Sequence, residues 1–169
     1  MAMFRIYNAP MPTTASLAGV ATSTNILTLL QIKPFNPCRI VGWGISFVGA
    51  AVAAGIEVEL LDTAAVFATV TGSVDADIHK VDTGSIAASA AGLTLANAGN
   101  SFLATGYTAS AEGTVAATRI LDAGYITPTN WFHRTFDTPR EAIIGNSTRI
   151  RFKAAAGVVA ICYMTIQLP

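Results

Sequence analysis

Two histidines, His79 and His133, are the side chains best suited to hold a metal or move a proton near neutral pH. A metal centre on a β-barrel or jelly roll needs His and carboxylate ligands clustered on neighbouring strands. Two scattered histidines, one inside an Ala/Gly/Ser-rich stretch, do not supply that cluster, so both read as surface or interface residues. Hydrolysis by a serine needs a base within reach and an acid to orient it. Serines are plentiful, but no Gly-x-Ser-x-Gly run occurs. The acid nearest after His133 on its strand, Asp137, would stand about 13 Å away along that strand.

Glu57 and Glu59 share a strand face about 7 Å apart, a spacing compatible with a glycosidase pair. Alternating charge is also the ordinary way to keep a strand face soluble, and that is the expectation here. Asp75, Asp77 and Asp82 lack the EF-hand spacing and its bidentate glutamate. Asn146-Ser147-Thr148 matches a glycosylation sequon but reads as a turn before the last strands. Trp131, Phe132 and Phe136 with Arg134 could stack on a sugar. Strand alternation puts Trp131 and Phe132 on opposite faces, so one belongs to the core and the other is an interface anchor. No catalytic residue, metal or cofactor is expected.

Positioning these residues falls to strands. In Cys38–Phe47 (CRIVGWGISF), Val41, Trp43, Ile45 and Phe47 take one face, and Cys38, Ile40, Gly42, Gly44 and Ser46 take the other. Trp43 is therefore a core aromatic, and the glycines mark a close approach from the second face. Strands are also expected over 24–33, 56–61, 66–71, 114–121, 131–136, 149–155 and 158–168, the last two joined as a hairpin through residues 155–157. Ile56, Val58 and Leu60 should face inward. Arg149, Arg151 and Lys153 should form a solvated face.

The fold expected is all-β: an antiparallel β-sandwich, as an eight-stranded jelly roll, with an immunoglobulin-type sandwich as the alternative. One domain covers 24–169, preceded by an extended Pro-containing arm over 1–23. It is interrupted by an Ala/Gly/Ser-rich excursion at 72–107, with a short helix near 86–91.

Composition narrows the functional classes. Charged residues make up 12% of the chain against about 25% in ordinary soluble domains, so part of the surface is expected to be covered by other subunits. Ten basic residues balance ten acidic ones, which excludes a nucleic-acid binder of the usual basic kind. Residues 40–56 are uncharged for 17 positions, short of the roughly 20 a membrane helix needs, and they alternate like a strand. The N-terminus MAMFRIYNAP has neither a basic n-region nor an h-region, and Cys38 and Cys162 read as buried free thiols in a reducing cytoplasm.

The segments FRIYNAPMPTT, LLQIKP, CRIVGWGISF, GYTASAEGT, RILDAGYITPTNWF and STRIRFKAAAGVVAICYMTIQ together resemble the small jelly-roll virion proteins of tailed bacteriophages, often capsid decoration (cement) proteins. The resemblance carries no active site to transfer. It implies a non-enzymatic subunit, made in the host cytoplasm, that binds the outer capsid lattice and staples neighbouring capsomers. Its partners would be the major capsid protein and copies of itself, as a trimer, with no nucleic acid and no membrane. Contacts are expected from the arm (Phe4, Arg5, Tyr7, Pro10, Pro12) and the excursion (Ile86, Leu93, Leu95, Phe102). The alternative is a carbohydrate- or receptor-binding jelly roll, on a phage fibre or in a C1q/TNF-like trimer, with an exposed aromatic among Trp131, Phe132 and Tyr125.

Overall fold

Residues 2–9, 14–16, 18–34, 37–48, 55–73, 78–82, 103–115, 119–127, 131–154 and 158–169 are described by a computed structural model. They form twelve strands and no helix: β1 Ala2–Tyr7, β2 Val20–Ala21, β3 Leu27–Lys33, β4 Cys38–Val48, β5 Ile56–Asp62, β6 Thr69–Thr71, β7 Ile78–Lys80, β8 Leu103–Ala111, β9 Arg119–Ile126, β10 Phe132–Ala142, β11 Thr148–Lys153 and β12 Val159–Leu168. Every pairing is antiparallel. Sheet A runs β10-β4-β12-β1-β7, with β2 also on β12, and sheet B runs β6-β8-β3-β11-β5-β9.

The two sheets share one core between them. Alternate residues of β12 (Ala160, Cys162, Met164, Ile166, Leu168) and of β1 (Phe4, Ile6) meet Leu30, Ile32, Val58, Leu60, Ile150 and Phe152 of sheet B. β1 and β12, and most of β5 and β11, turn apolar residues inward, so burial fixes their register. The chain passes repeatedly between sheets, and β1-β12-β4-β10 over β3-β11-β5-β9 is consistent with an eight-stranded jelly roll.

Several expectations change. Residues 2–7 are not an arm. Phe4 and Ile6 alternate with Met3, Arg5 and Tyr7, and that period of two inserts β1 between β12 and β7, with Phe4 and Ile6 buried. The excursion contains β7, which joins sheet A, and the start of β8, which joins sheet B. The helix expected near 86–91 lies outside the described residues. β11 and β12 are not a hairpin: they belong to different sheets. The strand expected over 114–121 starts later, at Arg119.

β4 departs from simple alternation. Thr165 pairs with Gly42 and Ile166 with Ile40, leaving Val41 as an extra residue. This bulge reverses the phase, so Cys38 and Ile40 share the core with Trp43 and Ile45. The other strand beside β4 is irregular at the same point: Thr135 pairs with Gly42 and Arg140 with Ile40, so residues 136–139 bulge out of β10.

Candidate functional site

The outer faces of the two sheets differ. On sheet B, Arg149 and Arg151 project outward from β11, yet neither is solvated. Arg149 donates from Nε to Ser147 Oγ (2.9 Å) and from Nη1 to the Glu112 carbonyl (3.0 Å) and carboxylate (3.3 Å), while Nη2 donates to the Val66 carbonyl. Arg151 pairs with Glu59 at 2.8 Å and with Glu112 at 3.3 Å. The segment 63–68 folds over this face, because the Gln31 amide accepts from the Ala68 N–H (2.8 Å) and donates to its carbonyl (3.3 Å). Burial pushes the Glu59 carboxyl upward, against the pull of Arg151. It also lowers the pKa of Arg149, which the Glu112 charge opposes. Glu59 is therefore one half of a structural ion pair. The sequence pattern could not reveal this, since buried and solvated charge alternate alike.

Sheet A instead presents a stripe of aromatic and cationic side chains that crosses its strands. From β7, His79 meets Tyr7 of β1 edge-on, with ring centres 5.5 Å apart. Tyr7 meets Tyr163 of β12 at 5.7 Å. Arg5 lies 4.5 Å above the Tyr163 ring and donates from Nε to Thr165 Oγ1 at 3.2 Å. Tyr163 Oη is 2.6 Å from Nδ1 of His133 on β10, whose Nε2 is 3.0 Å from Thr135 Oγ1. Beyond it stands Trp131, 6.0 Å from His133 and 71% exposed.

Gly44 makes this stripe possible. A Cβ there would lie 2.6 Å from Tyr163 Oη and 2.8 Å from the Phe132 carbonyl, so the tyrosine can lie across β4 only over a glycine. The close approach expected at Gly42 and Gly44 is thus supplied by Tyr163 and by the β10 backbone, since a Cβ on Gly42 would meet the Arg134 carbonyl at 2.6 Å. Burial raises the pKa of Tyr163, and the smaller influence of Arg5 lowers it. The phenol therefore stays protonated and acts as a hydrogen-bonding group. Nε2 of His79 is buried with no hydrogen-bond partner among the described residues.

Both histidines fall in the stripe. Among the described residues, no three His, Cys, Asp or Glu side chains are grouped to hold a metal. A cleft of about 570 Å³ at the end of β4, β10 and β12 is lined by Pro37, Arg39, Pro139, Glu141, Gln167 and Pro169. Another of about 380 Å³ follows the β10 bulge, past Asp122, Arg134, Phe136, Asp137 and Arg140. Its Asp122 is engaged on both oxygens, accepting from Trp43 Nε1 (2.9 Å) and Arg134 Nη1 (2.7 Å).

Of the contact residues expected from sequence, Arg5 and Tyr7 lie in the stripe, whereas Phe4 is a core residue and presents nothing to a partner. Pro10, Pro12, Ile86, Leu93, Leu95 and Phe102 lie outside the described residues, as do Asp75 and Asp77. Trp131 is exposed while Phe132 packs on Trp43 at 4.9 Å, the division that alternation requires. Tyr125 is exposed as well. At the sequon, the Asn146 amide donates to both Asp62 oxygens, and Ser147 and Thr148 are buried. Tyr163, His79 and His133 were not grouped from sequence, because only pairing between distant strands brings them together. Compared with protein-family models, curated proteins and solved structures, the chain matches none.

Proposed function

We propose that this protein is a non-enzymatic structural subunit of a bacteriophage particle: a decoration protein that associates with copies of itself, as a trimer, and binds the outer capsid lattice. The observation that carries the reading is the asymmetry of the two outer faces. The middle of sheet B is covered by its own chain through Arg149, Glu112 and residues 63–68, whereas sheet A offers Arg5, Tyr7, Tyr163, His133 and Trp131 across its width. Aromatic residues and arginine dominate the energetics of protein contacts, and glycines beneath them keep such a face flat. The low charge of the whole chain and its likeness to phage decoration proteins support the same reading.

Particles assembled with and without the protein provide the test. The decorated particle should withstand heat and osmotic shock better, and Trp131→Ala with Tyr163→Ala should abolish its binding. Equal resistance of the two particles would remove the cementing role.

A second reading, a glycan- or receptor-binding module, is favoured by one observation: Trp131 and Tyr125 are 71% and 78% exposed, as a sugar-stacking ring must be. A glycan array with assembled protein distinguishes it, since bound glycan should be lost on Trp131→Ala.

A further inference from the structure

Sheet edges carry unpaired backbone donors and acceptors, and proteins normally protect them with shortness, bulges, proline or charge. Most edges here are protected in those ways. β6 and β7 have three residues each and β2 has two, while β6 is irregular at two steps. β10 is broken by its bulge and carries Pro139, Arg134, Arg140 and Glu141. β9 is the exception. It has eight residues without proline, and its outer side has no strand partner among the described residues.

Its two charged side chains are turned onto its own chain. Arg119 meets Asp62 at 3.4 Å and the Glu141 carbonyl at 2.6 Å, and Asp122 holds Trp43 and Arg134. Left facing solvent are Ile120, 68% exposed, Tyr125, 78% exposed, and Ala123 and Gly124 between them.

The spacing of Ile120 and Tyr125 is specific. Five positions apart, they would point to opposite faces of a regular strand. However, Leu60 pairs with Asp122 and Leu61 with Ile120, so Leu121 is a bulge residue and the phase reverses. Ile120 and Tyr125 therefore share the outer face of sheet B, with Ala123 between them.

We infer that β9 pairs antiparallel with β9 of a second copy, about a two-fold axis at Ala123, joining two six-stranded B sheets into one. In that register Ile120 of each copy stands opposite Tyr125 of the other, with the two Ala123 residues facing each other. Both bulges fall symmetrically, and the strand is complementary to itself. A β-branched residue opposite an aromatic is a favourable cross-strand pair, here made twice. The centre is small, since it holds Ala123 and Gly124. No like charges are opposed, because Arg119 and Asp122 are already engaged. A single copy used twice is what a two-fold contact requires, and a strand-adding peptide from another protein would leave the repeated Ile120–Tyr125 match unexplained. This contact goes beyond the sheet A stripe, and the two surfaces can fail separately.

Full-length protein with Ala123→Cys, oxidised in dilute buffer, should convert to a disulfide-linked dimer. Ser110→Cys, an exposed position on β8, should not. The native cysteines are buried and stay out of the reaction. Ile120→Lys with Tyr125→Lys should halve the mass measured by light scattering and abolish the Ala123→Cys cross-link, while leaving the circular dichroism of the fold intact. Trp131→Ala reports separately on sheet A. Loss of assembly in that variant alone, with unchanged mass in the lysine pair, overturns the β9 contact and keeps the structural-subunit reading. Cross-linking of Ala123→Cys no faster than that of Ser110→Cys overturns it too. Halving by the lysine pair with no effect of Trp131→Ala supports β9 and counts against the stripe.

Discussion

The indole Nε1 of Trp43 donates to Asp122 Oδ2 at 2.9 Å, tying a central strand of sheet A to the edge strand of sheet B. The same carboxylate holds Arg134 through its other oxygen. Asp122→Ala leaves a fully buried N–H without its acceptor and should lower unfolding stability by about 1–3 kcal/mol. Trp43→Phe combined with Asp122→Ala should lose less than the sum of the single changes, because no orphaned donor remains. Urea titration of the four proteins measures the coupling, and strict additivity would contradict it.

Gly44→Ala is expected to destabilise by about 1–3 kcal/mol, the usual cost of an added methyl with no room. Its Cβ would press on Tyr163 and on the Phe132 carbonyl, which belongs to backbone and cannot swing aside. Gly124→Ala, on β9, meets open space and should change stability by less than about 0.5 kcal/mol. Thermal melts of the two variants check the contrast.

Arg149→Met should cost about 3–5 kcal/mol, as when one member of a buried ion pair is removed. It removes one of the two arginines on Glu112 and frees the Val66 carbonyl, so residues 63–68 should exchange amide hydrogens faster. Arg149→Lys should not restore protection, because one ammonium cannot reach Ser147, Glu112 and Val66 together. Hydrogen exchange at the Ala68 N–H reads this directly.

Alkaline pH should unfold the protein. Burial pushes the Cys38 thiol from its ordinary 9.0 up to about 12, and Cys162 is raised further. Above pH 9 the unfolded chain loses thiol protons that the folded chain keeps, so the folded state is increasingly disfavoured as pH rises. Each thiol contributes about 1.4 kcal/mol per pH unit in that window. Stability should be insensitive to the thiols below pH 9 and fall above it, and Cys162→Ala should make the alkaline decline shallower. A thiol reagent should label neither cysteine until denaturant is added.

What the sequence reveals is the period and what it hides is the phase. The strands, their inward faces and the core position of Trp43 follow from alternation, because side chains on a strand must alternate. One extra residue at Val41 or Leu121 leaves the composition unchanged and reverses everything on one side of it. That is why Cys38 and Ile40 were expected opposite Trp43, and why Ile120 and Tyr125 carry no visible relationship in one dimension. The N-terminal segment misled for another reason: Pro10 and Pro12 suggest an extended arm, but the alternation of Phe4 with Ile6 just before them is too short to stand out. The stripe was hidden because β1, β7, β10 and β12 become neighbours only in the folded sheet. Arg149 and Glu59 looked solvated, because a sequence does not show that Gln31 and Ala68 would fold residues 63–68 over them.

The seating of β1 sets a timetable for synthesis. Ala2 pairs with Leu168 and Tyr7 with Tyr163, so β1 finds its main neighbour only after β12, made far later, has emerged. Contacts so distant along the chain close slowly. Until then the edges of β1 and β4 that β12 will cover lie bare, open to pairing with the wrong neighbour.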